Sequence, residues 1–283
     1  MTRHAGMISG GPMTRELYNT KIIQYNPNTF EVIYYRKPKF RRLGETDTTV
    51  SNTSKSPSEK ELYQQASRIK RRIRHYMLCN DFDLFWTLTF DSEKVNSYDY
   101  SIVKKKIRAW LKAQREKHGK FCYLFIPELH KSGRLHFHGV TGGFRPILTK
   151  ARNTKTGRLI KKNGKQVYNV DSYQLGFSTV TKIDSSEKVA NYITKYITKD
   201  LLAIPSGYKQ PKYFSSRGLV KPTISYENLE RNYFEGLTPS FSAGHLDNLE
   251  YKEDIAIYNI SINDNGEIIQ NTTDTITKIR KEH

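Results

Sequence analysis

Two histidines separated by one residue are the side chains in this sequence best suited to chemistry. His136 and His138 stand in the run RLHFHG at residues 134–139. In a β-strand, residues i and i+2 point to the same face, so the two imidazoles are expected side by side. Such a pair can bind one metal ion from a rigid platform. The alternative is two ordinary histidines that are solvated or hydrogen-bonded.

A carboxylate is predicted to lie beside this pair. Residues 121–128 and 134–140 read as two strands, and the short link between them predicts a hairpin. That turn sets Glu128 opposite His136, with Cβ atoms about 5 Å apart. Two imidazoles and one carboxylate suit Mn²⁺ or Mg²⁺ with coordination positions left for a substrate oxygen. Glu128 is the expected third ligand, and His130, which has the same strand parity, is the alternative.

The tandem YITKYITK at residues 192–199 is the second feature. On a helix, residues four apart are neighbours, so Tyr192 and Tyr196 are expected one turn apart, with Lys195 and Lys199 on an adjacent stripe. A phenol with a pKa of about 10 is a poor nucleophile at neutral pH. Nearby ammonium groups and a metal-polarised phosphate would help it attack. The alternative is an amphipathic helix whose tyrosines pack on a sheet.

The surrounding pattern predicts an α+β fold, with helices packed on one side of a sheet. Ser58 and Glu61 have the spacing of a capping box, so a helix is expected to begin there. The other predicted helices are 100–118 and 187–199, and the other predicted strands are 29–35, 82–90 and 175–183. Asn265-Gly266 predicts a hairpin between residues 254–262 and 267–270.

The charge balance predicts a polyanionic partner. The chain has 283 residues, with 47 Lys and Arg against 28 Asp and Glu, a net charge of +19. Residues 144–165 hold eight basic side chains and no acidic one, so an exposed β-ribbon or loop facing nucleic acid is expected there. The candidate DNA contacts within it are Lys150, Arg152, Arg158, Lys161 and Lys162.

Three motifs in this order resemble those of the HUH endonucleases. They are FWTLTF at 85–90, Glu128 with HFH at 136–138, and the paired Tyr-x-x-Lys of 192–199. Within that superfamily the sequence resembles rolling-circle replication initiators of small single-stranded DNA phages, gokushovirus-like microviruses included, and of related plasmids. The run YFSSRGLVKP at 213–222 is similar to a further segment of the phage-type proteins. The likeness covers about residues 60–225.

The resemblance implies a central antiparallel sheet of about five strands, with the histidines on a middle strand. It also implies metal-dependent nicking of single-stranded DNA at a replication origin, with the 5′ end joined to a tyrosine. Carried over residue by residue, His136, His138 and Glu128 bind Mg²⁺ or Mn²⁺. Tyr192 and Tyr196 match the nucleophiles, and Lys195 and Lys199 match the accompanying lysines. Thr87 and Thr89 match a motif that is structural or contacts DNA.

The expected organisation has three parts: an N-terminal extension and linker at 1–57, the endonuclease domain at 58–225, and an accessory segment at 226–283 that is acidic from about 244. Neither a signal peptide nor a membrane span is evident, so the cytoplasm of a bacterial host is the expected location. A nucleotide-binding P-loop is also missing, which predicts a borrowed host helicase and polymerase. The alternatives are a single-strand transposase, a relaxase, or a non-catalytic DNA-binding regulator.

Overall fold

The computed structural model describes residues 15–42, 58–198, 201–202, 212–248, 250–270 and 275–279. These residues combine α-helices with large antiparallel sheets, which confirms the predicted α+β class. They fall into two compact units, one drawn from 1–54 together with 222–283 and one from 55–221. Among the helices of these ranges, none is long and apolar enough to cross a membrane.

The first unit is built on a sheet that uses both ends of the chain. Its strand order is β12-β1-β2-β14-β13-β16, with β15 paired to β14. The strands are β1 (Arg15–Asn26), β2 (Thr29–Arg42), β12 (Thr223–Glu227), β13 (Phe241–Asp247), β14 (Glu250–Ile262), β15 (Ile268–Ile269) and β16 (Ile276–Ile279). The N-terminal extension and the C-terminal segment, which the sequence analysis separates, therefore share one sheet through the antiparallel pair β2–β14.

The sequence predicts the strands of this unit only in part. The predicted strand at 29–35 is the first half of β2, whereas β1 was missed. The predicted hairpin around Asn265-Gly266 is confirmed, because β14 pairs with β15 antiparallel. The Ser/Thr-rich linker predicted before Pro57 lies outside the described residues.

The second unit is built on a central antiparallel sheet in the order β11-β4-β5-β3-β10-β9-β6. It has seven strands where the resemblance implied about five, because two-residue strands extend its edges. Its elements are α1 (Glu59–Cys79), β3 (Leu84–Phe90), α2 (Tyr100–His118), β4 (Cys122–Leu129), β5 (Leu135–Gly142), β6 (Thr149–Lys150), β7 (Lys161–Lys162), β8 (Lys165–Gln166), β9 (Tyr168–Asn169), β10 (Gly176–Lys182), α3 (Ser186–Ile193) and β11 (Phe214–Ser215).

The start of α1 confirms the predicted capping box. The Ser58 side chain accepts from the backbone N–H of Glu61, and the Glu61 carboxylate accepts from the Ser58 backbone N–H at 2.7 Å. These two bonds satisfy donors that the first helical turn would otherwise leave unpaired. Ile73 and Met77 on the same helix are fully buried in the core of the unit.

Helices cover both faces of the central sheet, so the prediction of helices on one side only was wrong. Phe85 and Trp86 are neighbours on β3 and therefore point to opposite faces. The Trp86 ring contacts Trp110 of α2 at 5.9 Å, whereas the Phe85 ring contacts Tyr192 of α3 at 5.5 Å. Both faces can be covered because β3 is central and carries large apolar side chains in both directions.

The helix predicted over 187–199 is also shorter than expected. α3 ends at Ile193, a 3₁₀ turn follows over Thr194–Tyr196, and Ile197 leaves the helical region at ψ 87°. The Thr194 hydroxyl donates to the carbonyl of Ala190 at 2.9 Å, which places a side-chain bond where the helix ladder would run. β-branched residues at 193, 194, 197 and 198 further weaken the helix here.

The basic segment after β5 forms the predicted exposed ribbon. β7 and β8 pair antiparallel around Asn163 and Gly164, both with positive φ, as a tight hairpin turn requires. Lys165 ties this hairpin to the chain before α3, because its ammonium group lies 2.6 Å from the Asp184 carboxylate and 3.2 Å from the Lys182 carbonyl oxygen.

Candidate active site

The two histidines stand on β5, between β4 on one side and β3 on the other. Glu128 pairs with His136 across β4–β5, as the hairpin prediction required. Thr87 pairs with His138 across β3–β5. Directly paired residues share a face, so the carboxylate, both imidazoles and the threonine hydroxyl lie on the same side of the sheet.

His138 is held between hydrogen-bond partners on both ring nitrogens. Its Nε2 lies 2.7 Å from Oε2 of Glu128, and its Nδ1 lies 3.2 Å from Oγ1 of Thr87. The side chain is only 6% exposed. A threonine hydroxyl can either donate or accept, so Thr87 suits both neutral tautomers of the ring. This contact gives Thr87 a positioning role that the sequence analysis did not assign.

His136 has a looser version of the same arrangement. Its Nδ1 lies 3.5 Å from Oγ1 of Thr89, and its ring stacks on His130 at 5.4 Å. His130 is exposed and its Nδ1 lies 3.0 Å from the Ser132 hydroxyl. Of the two candidates for a third ligand, Glu128 therefore contacts a histidine of the pair through a ligand atom, whereas His130 contacts one only through its ring face.

The donor chemistry of this group fits a divalent cation. In metal sites, the ring nitrogen of histidine that does not bind the metal is usually hydrogen-bonded to an oxygen, as the Nδ1 atoms of His136 and His138 are here. As the side chains stand, however, no group of three His, Cys, Asp or Glu among the described residues is arranged to hold a metal ion. The Glu128 carboxylate pairs directly with Nε2 of His138, so it must move aside for a metal to bind both.

The glycine that ends the histidine motif has a packing role. A Cβ on Gly139 would lie 2.1 Å from the Phe125 ring, far inside any permitted contact. Gly139 faces away from the site, beside Trp86 in the register of β3. Its missing side chain lets the Phe125 ring pack directly beneath β5, which keeps the histidine platform against the core.

The Tyr196 ring lies flat on His138. The ring centroids are 3.7 Å apart and the planes differ by only 5°. Tyr192 stands edge-on to Tyr196, with centroids 5.5 Å apart and planes at 87°, and the Phe85 ring supports it from the sheet. The two tyrosines therefore meet above the histidines without the simple one-turn stack predicted from a continuous helix.

Two ammonium groups lie near Tyr192. Nζ of Lys195 is 5.7 Å from the ring centroid and Nζ of Lys162 is 5.9 Å from it. Lys162 reaches the site from the β7–β8 hairpin. The side chains of Lys150, Arg152, Arg158 and Lys161 are exposed along the ribbon. Lys199, predicted beside Lys195, lies outside the described residues.

Burial sets the protonation of the site. It lowers the pKa of His138 below its usual value, and the Glu128 contact offsets that effect only in part. Burial likewise lowers the pKa of His136, with Glu128 again opposing. Burial raises the pKa of the Tyr196 phenol, and its hydrogen bond to Tyr192 and the Glu128 charge add to the effect. The histidines are therefore neutral near pH 7, as metal ligands must be.

Depressed histidine pKa values predict acid sensitivity of the metal-free protein. Below the ordinary histidine pKa of about 6.5, the unfolded chain binds protons that folded His138 resists, so stability present at higher pH is lost as pH falls. In EDTA, the urea midpoint of unfolding is expected to fall between about pH 7 and pH 5.5, and to fall less in His138→Gln. The exposed His130→Gln variant is the control, and an equal fall in wild type and His138→Gln would contradict the assignment.

Two contacts of the site had no assigned role in the sequence analysis. Phe85 was expected within a buried strand, yet its ring faces Tyr192 and His138. The hydroxyl groups of Thr87 and Thr89 were expected to be structural or to contact DNA. The alternation of FWTLTF contains the signal, since residues 85, 87 and 89 share a face. The partner of that face became visible only with the β3–β5 pairing.

Residues 83–201 match the family model of the replication-associated protein ORF2. The matched segment contains β3, the histidine platform and the paired tyrosines. No curated protein and no solved structure matches the chain. The family match supports a role in replication initiation for this protein, in agreement with the resemblance of its motifs.

Proposed function

We propose that this protein is a rolling-circle replication initiator that nicks single-stranded DNA by tyrosine attack. The observation that carries the proposal is the convergence of Tyr192, Tyr196 and Lys195 on the face that holds His138 and Glu128. The family match over residues 83–201 supports it, as does the net charge of +19. A strongly basic protein attracts nucleic acid before any specific contact forms.

Tyr192 is the proposed first nucleophile. Its side chain is 36% exposed, so a phosphodiester can approach its hydroxyl. The bond between Oη and phosphorus forms as the bond from phosphorus to the 3′-oxygen breaks; the phenol proton goes to solvent, and the released 3′-oxygen takes one up. The ammonium groups of Lys195 and Lys162 balance negative charge on the non-bridging oxygens. The product is a 5′-phosphotyrosine, which conserves the bond energy for later rejoining.

His136, His138 and Glu128 are the proposed ligands of Mg²⁺ or Mn²⁺. The bound cation would supply Lewis-acid polarisation of the scissile phosphate. Thr87 and Thr89 hold the imidazoles in orientation through their Nδ1 atoms. Tyr196 is the proposed second nucleophile, which cleaves the newly made strand while Tyr192 holds the first 5′ end. A host helicase and polymerase would complete replication in the bacterial cytoplasm.

The test is an adduct assay on single-stranded DNA. A randomised oligonucleotide pool labelled at its 3′ end is incubated with protein and Mn²⁺ and run on a denaturing gel. Attack by tyrosine is expected to leave the 3′-labelled fragment attached to protein, and EDTA is expected to abolish this species. A pool labelled at its 5′ end is the matched control, since its label should leave with the free fragment. DNA binding without an adduct in any metal would favour the regulator alternative.

A further inference from the structure

An aromatic ring lies on the site face of the central sheet, one strand beyond the threonines. Across β3–β10, Phe177 pairs with Thr89 and Thr179 pairs with Thr87. Paired residues share a face, so Glu128, His136, Thr89 and Phe177 form one row across four strands. At about 4.8 Å per strand, Phe177 lies about 10 Å from His136.

Phe177 is exposed although its strand is otherwise anchored in the core. Its ring is 73% exposed, whereas Ser178 and Val180, which point to the other face, are buried. No other aromatic ring in the described ranges packs on Phe177, and it is not part of the hydrophobic core of its unit. The fold therefore presents a large apolar ring to solvent beside the site.

The position of this ring is tightly determined. Gly176, the first residue of β10, has a φ of 156°, and a Cβ there would lie 2.2 Å from the Thr89 carbonyl oxygen. β10 can therefore approach β3 this closely only with glycine at 176. The close contact fixes the register of the next residue, so Phe177 projects from a rigid strand.

We propose that Phe177 is a stacking platform for one nucleobase of the DNA strand held in the active site. This inference rests on the proposed function and identifies how that site grips its substrate. A flat apolar ring beside exposed hydroxyl groups and a basic ribbon suits a base, whose face is apolar and whose backbone is anionic. The Thr179 hydroxyl, also exposed, borders the ring on the same face.

The platform also has a defined place relative to the cut. Along β3 the site face runs from Phe85, which contacts Tyr192, through Thr87 to Thr89, which pairs with Phe177. Phe177 thus lies beyond the histidines on the side away from the tyrosines. At 3.4 Å per stacked nucleotide, about 10 Å corresponds to roughly three nucleotides, so the stacked base lies within that distance of the scissile phosphate.

The experiment measures binding without cleavage. Fluorescence anisotropy of a labelled oligo-dT of about 16 nucleotides in EDTA reports the Kd of wild type and variants. Phe177→Ala is expected to weaken binding about 10-fold, the usual effect of losing one base-stacking ring. Phe177→Trp is expected to bind at least as tightly as wild type. Phe177→Leu keeps an apolar side chain without a π-face and is expected to resemble Phe177→Ala.

The controls separate this inference from the proposed chemistry. Phe40→Ala removes a phenylalanine of similar exposure, 66%, from the other unit and is expected to leave the Kd unchanged. Wild-type affinity in Phe177→Ala or Phe177→Leu overturns the proposal, even if sedimentation shows altered self-association. If wild type forms no adduct but the Phe177 series behaves as described, nicking is rejected and the stacking site stands.

Discussion

Tyr192→Phe is expected to lower adduct formation by at least about a thousand-fold, because the substitution removes the attacking oxygen and keeps the ring. The Phe85 ring and the lysine ammonium groups retain an aromatic partner, so folding is expected to be unchanged. The measurement is single-turnover adduct formation on the oligonucleotide selected from the randomised pool. Mass spectrometry of the wild-type adduct is expected to place the phosphodiester on Tyr192.

Tyr196→Phe is the matched control for this first prediction. It removes the other hydroxyl and preserves the flat stack on His138, at 3.7 Å in the wild-type protein. Initial cleavage is expected within about 10-fold of wild type, since that hydroxyl is held protonated by burial. Transfer to a second strand is expected to fail. An unimpaired adduct in Tyr192→Phe, or full nicking and joining in either variant, would overturn the two-tyrosine scheme.

Glu128→Gln is expected to weaken Mn²⁺ binding by about 100-fold or more, which is the second large effect. The amide keeps the size of the side chain and removes the anionic ligand that the two imidazoles cannot replace. Mn²⁺ titration followed by electron paramagnetic resonance measures the loss directly and does not depend on catalysis. Adduct formation is expected to fall in parallel at fixed metal concentration.

His130→Gln tests the alternative third ligand in the same titration. Its side chain contacts Ser132 and the face of His136, so its replacement is expected to change the Mn²⁺ affinity less than about threefold. A large loss in His130→Gln with wild-type affinity in Glu128→Gln would transfer the ligand role to His130. Wild-type affinity in His136→Ala and His138→Ala would reject the metal site altogether.

Much of the local structure could be predicted from the sequence because its signals are short-range. The capping box at Ser58, the limits of α2 and the pairing of Glu128 with His136 each depend on residues a few positions apart. A short turn leaves a hairpin little choice of register, so the carboxylate had to lie opposite the first histidine. The bringing together of these three side chains was therefore predictable without any knowledge of the rest of the fold.

The length of α3 was predicted incorrectly because periodicity does not register competition for backbone acceptors. The tandem YITKYITK has the spacing of a helix, but the Thr194 hydroxyl bonds the Ala190 carbonyl and the chain tightens into a 3₁₀ turn. This local change decides how the tyrosine rings meet. Tyr196 reaches down to His138 while Tyr192 remains at the surface.

The amino-acid sequence alone identifies the residues that could do chemistry, the strand that carries the histidines, and the basic ribbon that follows it. The folded chain was needed to show which residues surround them. Thr87, Thr89 and Phe177 lie on strands far apart in sequence, and their shared face follows from the pairings of β3 with β5 and β10. The two chain ends share a sheet for the same reason. Strand pairing between distant segments depends on the packing of the whole core, whereas turns, caps and amphipathic faces depend on neighbouring residues.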